Sequence, residues 1–354
     1  MPGTALRPLL AITQGDPAGI GPETLAKLVL QEDSAERPYR PLLIAERAAF
    51  EPLHRRLPAL PWDRLHFLGT APSPAELEAL DPALVPVLDP VAERRTVEPG
   101  KPGPQEAHGA LAALDAGIAL AKEGSVAALV TAPVAKEVIA RHRLPGFVGH
   151  TEYLAEACGL SRYGRDYLMA FLAPELQVAL LSTHLPLREA LSRVEPGLLL
   201  EALECLSRHG GGRIAVAGFN PHAGEGGLLG WEDAELVAPA VAQARRHGLD
   251  VHGPESADSL FARARSGQFD WVLALYHDQG LIAVKTACFG TATNWTLGLP
   301  FLRTSVDHGT AFSLAGLGVA DERPLAAVVA ATLELLGGSL PRRRAQLAEP
   351  AAST

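Results

Sequence analysis

Cysteine is scarce. The three present, Cys158, Cys205 and Cys288, lie far apart and form no C-x-x-C pair, which excludes a disulfide framework and a thiolate zinc site and suits a reducing compartment. Long apolar runs are missing too. No window reaches the roughly 18 apolar residues that span a bilayer, and the start, MPGTALRPLLAIT, has an apolar run far shorter than the core of a signal peptide. A soluble, cytoplasmic protein with no membrane partner is expected. Basic residues do not dominate: 31 lysines and arginines face 40 acidic residues, for a formal net charge of -9. A broad nucleic-acid surface needs clustered cations, so nucleic acid is excluded as a partner, while a local site for a small anion stays open. Internal repeats and low-complexity tracts are absent as well.

What is present is an apolar fraction of 47% in 354 residues. That is ample for a core, and longer than the roughly 250 residues at which single cores stop growing, so two domains are expected. Short leucine-rich or β-branched runs alternate with segments of helical period, the pattern of strands joined by crossover helices. The fold class is therefore α/β. Strands are predicted at PLLAIT (8–13), RPLLIA (40–45), VAALVTA (126–132), QVALLST (177–183), RIAVAGF (213–219) and WVLALY (271–276), and helices at 22–30, 105–122, 150–157, 197–208, 232–246 and along PLAAVVAATLELLG. Residues 92–105, with three prolines and two glycines, form the best internal linker candidate, and the tail PRRRAQLAEPAAST is expected to fray.

The chemical residues follow the predicted strands, where ligands gather in open α/β sheets. His184 in STHLPL, His222 in NPHAGEGG and His277 in YHDQG each stand past a strand. Three imidazoles with an open fourth position suit a catalytic divalent metal; the plainer alternative for each is a hydrogen-bonded loop histidine. In GHTEYLAE, His150 and Thr151 precede a helix whose amides would receive an anion, although the segment by itself favours a simple cap, with Thr151 accepting N–H bonds. A later polar series holds Lys285, Asn294, Arg303, Asp307 and His308. It offers the donors that hold a phosphate or carboxylate, or else a set of solvated surface charges. TQGDPAGIGPE is a glycine-rich strand-to-helix turn that matches neither the Walker nor the Rossmann pattern.

Taken in order, GDPAGIGPE, TAPVAKE, GHTEYLAE, STHLPL, NPHAGEGG, GPESADSLF, YHDQGL and TSVDHGTAF closely resemble the 4-hydroxythreonine-4-phosphate dehydrogenase family of pyridoxal phosphate biosynthesis, from about residue 9 to about residue 320. GDPAGIGPE and DHGTAFSLAG are also similar to turns of isopropylmalate and isocitrate dehydrogenases, the wider relatives. The resemblance implies two α/β/α domains flanking a cleft, without a Rossmann fold. The first would be 1–130 plus 285–354, on the cofactor side; the second, 131–284, would carry the metal ligands and the dimer contact. It implies His184, His222 and His277 as ligands of one divalent metal, Zn, Mg or Co, shared across a homodimer. It implies substrate contacts from His150, Thr151, Lys285, Asn294 and Arg303, acid–base work by Asp258 or Lys285, and NAD held without the Rossmann fingerprint, with His308, Gly309 and Thr310 on the cofactor side. The activity it implies is metal-assisted oxidation of a small phosphorylated hydroxy acid at C3 and loss of CO₂. Two positions depart from the usual pattern: Leu228 stands where many relatives carry a further histidine, and Ser313 where an acidic residue is common. The same family pattern includes sister enzymes for 4-phosphothreonate or 4-phosphoerythronate. From the residues alone, a metal-dependent hydrolase or an inert metal-and-phosphate binder stays open.

Overall fold

Four-to-six-residue apolar runs, buried on both faces, build the centre of the molecule, as ALVT, IAVA and WVLA illustrate. The computed structural model describes residues 7–91 and 93–340; the tail 341–354, expected to fray, lies outside the described residues. Its strands are β1 (Leu9–Thr13), β2 (Arg40–Ile44), β3 (Leu65–Leu68), β4 (Val85–Leu88), β5 (Ala128–Thr131), β6 (Leu168–Ala173), β7 (Leu176–Leu180), β8 (Ile214–Ala217), β9 (Val251–Glu255), β10 (Trp271–Ala274), β11 (Thr293–Leu297) and β12 (Leu302–Val306). All belong to one sheet, in the order β3-β4-β2-β1-β5-β12-β11-β6-β7-β10-β8-β9. From β3 to β12 every pairing is parallel. At the centre, β11 runs antiparallel to both β12 and β6, and β6 antiparallel to β7. The far edge from β7 to β9 is parallel again.

Helices cover both faces, as strands buried on both sides require. One half of the sheet carries core clusters around Leu10, Ile12 and Phe50 and around Leu114 and Leu129; the other half has its own pair, around Trp271 and Leu203 and around Phe171 and Val272. The six predicted strands and six predicted helices are all found. Gly21–Gln31, Pro104–Lys122, Pro196–Gly210 and Arg323–Leu336 open on a proline at the first or second position, where the missing N–H costs nothing. The 232–246 segment begins as a π turn, Asp233–Val237, before the α-helix Ala238–Arg246. Among the described residues no helix is long and apolar enough to cross a membrane.

The structure corrects two expectations. His277 is not a loop residue; it opens the helix His277–Ala287. Of the segment 92–105, residues 93–105 are described and form no free linker, because they lead into the helix Pro104–Lys122 within one half of the sheet and are anchored there. Arg95 bonds Glu46 at 2.5 Å and Glu106 at 2.8 Å, and Val97 is buried against Ala18 and Ala48. None of the three cysteines forms a disulfide.

Candidate active site

A pocket of about 230 Å³ opens where the antiparallel strands meet the parallel half. Arg303 on β12 and Asn294 on β11 line one side; Lys136, at the start of the helix Lys136–His142, and the first turn of the helix His150–Ala157 line another. His184, four residues past β7, and His277 complete it, with their rings 5.2 Å apart, centroid to centroid. Parallel strands end on one edge of a sheet, so residues more than 160 positions apart converge here.

Arg303 is the buried cation of the site, 1% exposed. Its Nη1 donates to Thr296 Oγ1 at 3.0 Å and its Nη2 to Thr131 Oγ1 at 2.6 Å. Hydroxyls orient the guanidinium without neutralising it. Burial pushes its pKa down to about 9, well below the ordinary guanidinium range, and Glu152 works the other way. The Arg303 Nε, the His150 Nε2 and the Asn294 Oδ1 are buried without hydrogen-bond partners. Buried polar atoms are rarely left so, and these three belong to residues that line one pocket. The cap expected at Thr151 is not formed: the helix starts at His150 behind Gly149, and no side chain caps it. Its first-turn amides are therefore left to a ligand. Burial, then Arg303 and Lys136, hold His150 well below the ordinary imidazole range. Burial, then Lys136 and His277, lower His184. Neutral imidazole is the form that accepts a hydrogen bond or ligates a metal.

Lys285 stands at the rim, its Nζ 3.3 Å from Asp307 Oδ2. Asp307, His308 and Gly309 line the pocket; burial raises the Asp307 carboxyl pKa, against the pull of Lys285. Thr310 lies just beyond, accepting the Ile20 N–H on its carbonyl at 3.0 Å, and so ties this loop to GDPAGIGPE. Two predicted site residues are held elsewhere. His222 lies in a run of positive φ from His222 to Gly226, a strained conformation for three residues that are not glycine. Buried Asp233 pins that loop by accepting the N–H groups of Phe219 and Asn220 at 2.7 and 2.8 Å. The His222 ring is 60% exposed, with Nδ1 4.0 Å from Asp258 Oδ2, and neither residue lines the pocket of its own chain.

A metal ion was tested against these donors. Among the described residues of one chain, no three His, Cys, Asp or Glu side chains are grouped to hold one. His184 and His277 do fit as two donors. Asp278 Oδ1 lies 2.7 Å from His277 Nδ1, the carboxylate support that fixes an imidazole for ligation through its other nitrogen. Sequence reasoning missed Lys136, Glu152, Thr131 and Thr296. Lys136 lies in TAPVAKE, directly past β5, and the strand-end signal that picked out the histidines applies to it equally. The two threonines carry no such signal, because they act through Arg303.

The chain matches the family model for the pyridoxal phosphate biosynthetic protein PdxA over residues 40–332. It is 43% identical to the 4-hydroxythreonine-4-phosphate dehydrogenase of Aromatoleum aromaticum over 329 residues, 91% of this chain and 94% of that one. It is 39% identical to the D-threonate 4-phosphate dehydrogenase of Cupriavidus necator over 357 residues, 96% and 98% of the two chains. A crystal structure of 4-hydroxythreonine-4-phosphate dehydrogenase from Klebsiella pneumoniae superimposes with a TM-score of 0.81 at 36% identity, covering 93% of this chain and 99% of that one. Every residue lining the pocket falls within the matched span, and on that ground the chain belongs to the PdxA family of pyridoxal phosphate biosynthetic proteins.

Proposed function

We propose that the protein oxidises 4-phosphooxy-L-threonine at C3 with NAD and a divalent metal, Zn, Mg or Co, and that loss of CO₂ follows to give 3-amino-2-oxopropyl phosphate for pyridoxal 5′-phosphate biosynthesis. The observation that carries this reading is the group of three partnerless buried polar atoms, on His150, Asn294 and Arg303, all residues of a pocket that Lys136, His184, His277 and His308 also line. Such a lining is incomplete without a polyanionic, hydroxylated ligand. Arg303 and Lys136 bind anionic groups, and the uncapped helix start at His150 adds its amides. Binding away from C3 orients the reacting carbon.

His184 and His277 would hold the metal, with His222 supplied by a second copy of the chain. That arrangement supports a homodimer, since His222 and Asp258 are exposed and do not line the pocket of their own chain. When bound, the metal supplies Lewis acidity at the C3 oxygen and the nicotinamide accepts the hydride. Lys285 is suited to move a proton at the pocket rim, where Asp307 holds its ammonium in place. Asp258 would enter alongside the second copy's His222. His308, Gly309 and Thr310 begin the loop assigned to the cofactor. The two halves of the sheet serve as the two domains, 1–130 with 285–354 and 131–284. The free cysteines suit a cytoplasmic setting.

A second substrate has specific support, because relatives named D-threonate 4-phosphate dehydrogenase are as similar as several of the others. The names of the relatives speak against the hydrolase alternative. The test is the appearance of NADH absorbance when protein, metal and NAD meet each acid in turn. Turnover of D-threonate 4-phosphate with none of 4-phosphooxy-L-threonine would move the assignment to the sister reaction. Silence with both acids would refute the dehydrogenase reading.

A further inference from the structure

Oxidation at C3 followed by loss of CO₂ moves two protons. The C3 hydroxyl gives one up, and the carbon that loses the carboxyl group gains one. The reading above gives the first to Lys285, which stands at the rim and does not itself line the pocket. No group named there supplies the second.

The pocket offers few donors. His184 and His277 are given to the metal, and His150 is held neutral by burial, Arg303 and Lys136. Arg303 is buried and donates through both Nη atoms to threonine hydroxyls. Asp307 is engaged with Lys285, and His308 Nδ1 lies 3.0 Å from the Gly309 carbonyl oxygen. Lys136 differs from all of these. Its ammonium carries three donor N–H groups and has no hydrogen-bond or ion-pair partner among the described residues. The side chain lines the pocket and is also exposed, so water can return a proton to it after each turnover.

Its placement fits the reacting carbons. Lys136 opens the helix Lys136–His142, and its side chain reaches the start of the helix His150–Ala157, where a Cβ on Gly149 would stand 3.0 Å from both Lys136 Cε and Nζ. Its charge lowers both His150 and His184. It therefore bears on the His150 end, where partnerless atoms and free amides receive an anion, and on the His184 end, where the metal would lie. A ligand that spans the two ends has its middle carbons beside this ammonium.

We propose that Lys136 returns the proton to carbon after CO₂ is lost. Its ammonium pairs first with the substrate carboxylate. When the C1–C2 bond breaks, CO₂ leaves neutral and the electron pair stays on C2 and C3 as an enolate, so the ammonium loses its counterion beside a carbon that now carries negative charge. The proton passes from Nζ to C2, a C2–H bond forms, and the neutral amine takes a proton from water. No oxidant enters at this stage, because the hydride has already gone to the nicotinamide. The step is the same for either of the two acids. The proposal rests on the reading above that such an acid is oxidised at C3 and decarboxylated.

The test uses the full chain with NAD, Mg²⁺ or Zn²⁺, and whichever of the two acids the wild type oxidises, and it follows NADH in the first turnover and in the steady state. Lys136→Arg keeps the cation but holds its proton far more firmly, and Lys136→Ala makes room for an external amine. In Lys136→Arg the first turnover is expected at the wild-type rate and the steady state about a hundredfold slower, the lower end of what a positioned acid contributes, with KM little changed. In Lys136→Ala added methylammonium is expected to restore steady-state turnover, and the rescue to saturate. The side chain is exposed, so the melts of both variants are expected to match the wild type, and this is checked on the same samples. Wild-type turnover by Lys136→Arg would overturn the proposal, since charge alone would then suffice. So would an equal fall of first turnover and steady state, which places Lys136 before the loss of CO₂, or the absence of rescue by methylammonium. A wild type that forms no NADH with either acid would overturn the reading of the function, and this proposal with it.

Discussion

Replacing Arg303 with methionine is expected to stabilise the ligand-free fold and abolish substrate binding. The residue is 1% exposed and is held by two hydroxyls with no carboxylate bonded to it. Burial lowers its pKa to about 9, roughly three and a half decades below the ordinary guanidinium value; at about 1.4 kcal/mol per decade, keeping the charge at neutral pH costs about 5 kcal/mol. Methionine fills a similar volume without charge. The change leaves Thr131 and Thr296 without their donor, which costs about 1 kcal/mol each. The net expectation is a gain of about 3 kcal/mol. The sign follows from linkage: the unfolded chain keeps the proton to far higher pH than the folded chain, which keeps it only to about 9. The penalty is therefore present in full throughout neutral pH, and it shrinks as pH rises beyond about 9. Urea unfolding of both proteins at pH 7.5, without metal or phosphate, reads the difference as a midpoint shift. Calorimetric titration with 4-phosphooxy-L-threonine reads binding. Destabilisation of the variant together with retained binding would refute the reasoning, because Arg303 would then be a structural residue.

Three further outcomes are expected. Asp16 is fully buried, with Oδ1 accepting the Ala18 N–H at 2.9 Å and Oδ2 partnerless, and burial raises its pKa from 3.8 to about 6. Only the folded chain holds that proton between those two values, so stability falls as pH rises through that window and stays low above it. Asp16→Asn is thus expected to gain about 3 kcal/mol at pH 7 and almost nothing at pH 4, in urea unfolding at the two pH values. His222→Ala is expected to lose bound metal with an unchanged metal-free melt, because its ring is 60% exposed; full metal content with a lowered melt would refute the ligand reading. Lys136→Met removes a cation that lowers both His184 and His150, so NMR titration of the metal-free protein is expected to show the His184 midpoint rising.

Segments whose local pattern agreed with their final surroundings were legible. RPLLI and WVLA are apolar throughout and became strands buried on both faces; the run from Pro104 shows helical period and became a long helix. Segments whose polarity serves the site or an edge were missed. TNWTL and LRTSV carry Asn294 and Arg303 into the middle of the sheet, where a polar residue is tolerated only because a pocket opens there. VHGPE at the sheet edge contains a glycine and a proline that argue against a strand. His277 was read as a loop residue because its helix, HDQGLIAVKTA, has no side-chain cap to announce its start.

The sequence by itself determined the α/β class and the order of most elements, since apolar period is a local property that burial later satisfies. It also determined the residue types available for chemistry, and through its ordered motifs the family. Only the tertiary structure decided that the sheet is continuous, with β11 running backwards between its two halves. Only it decided that Lys136, His150, His184, His277, Asn294 and Arg303 share one pocket while His222 and Asp258 are exposed and do not line it. Convergence of that kind depends on which strand ends lie side by side. Strand order is set by the packing of the whole sheet, and no local pattern records it.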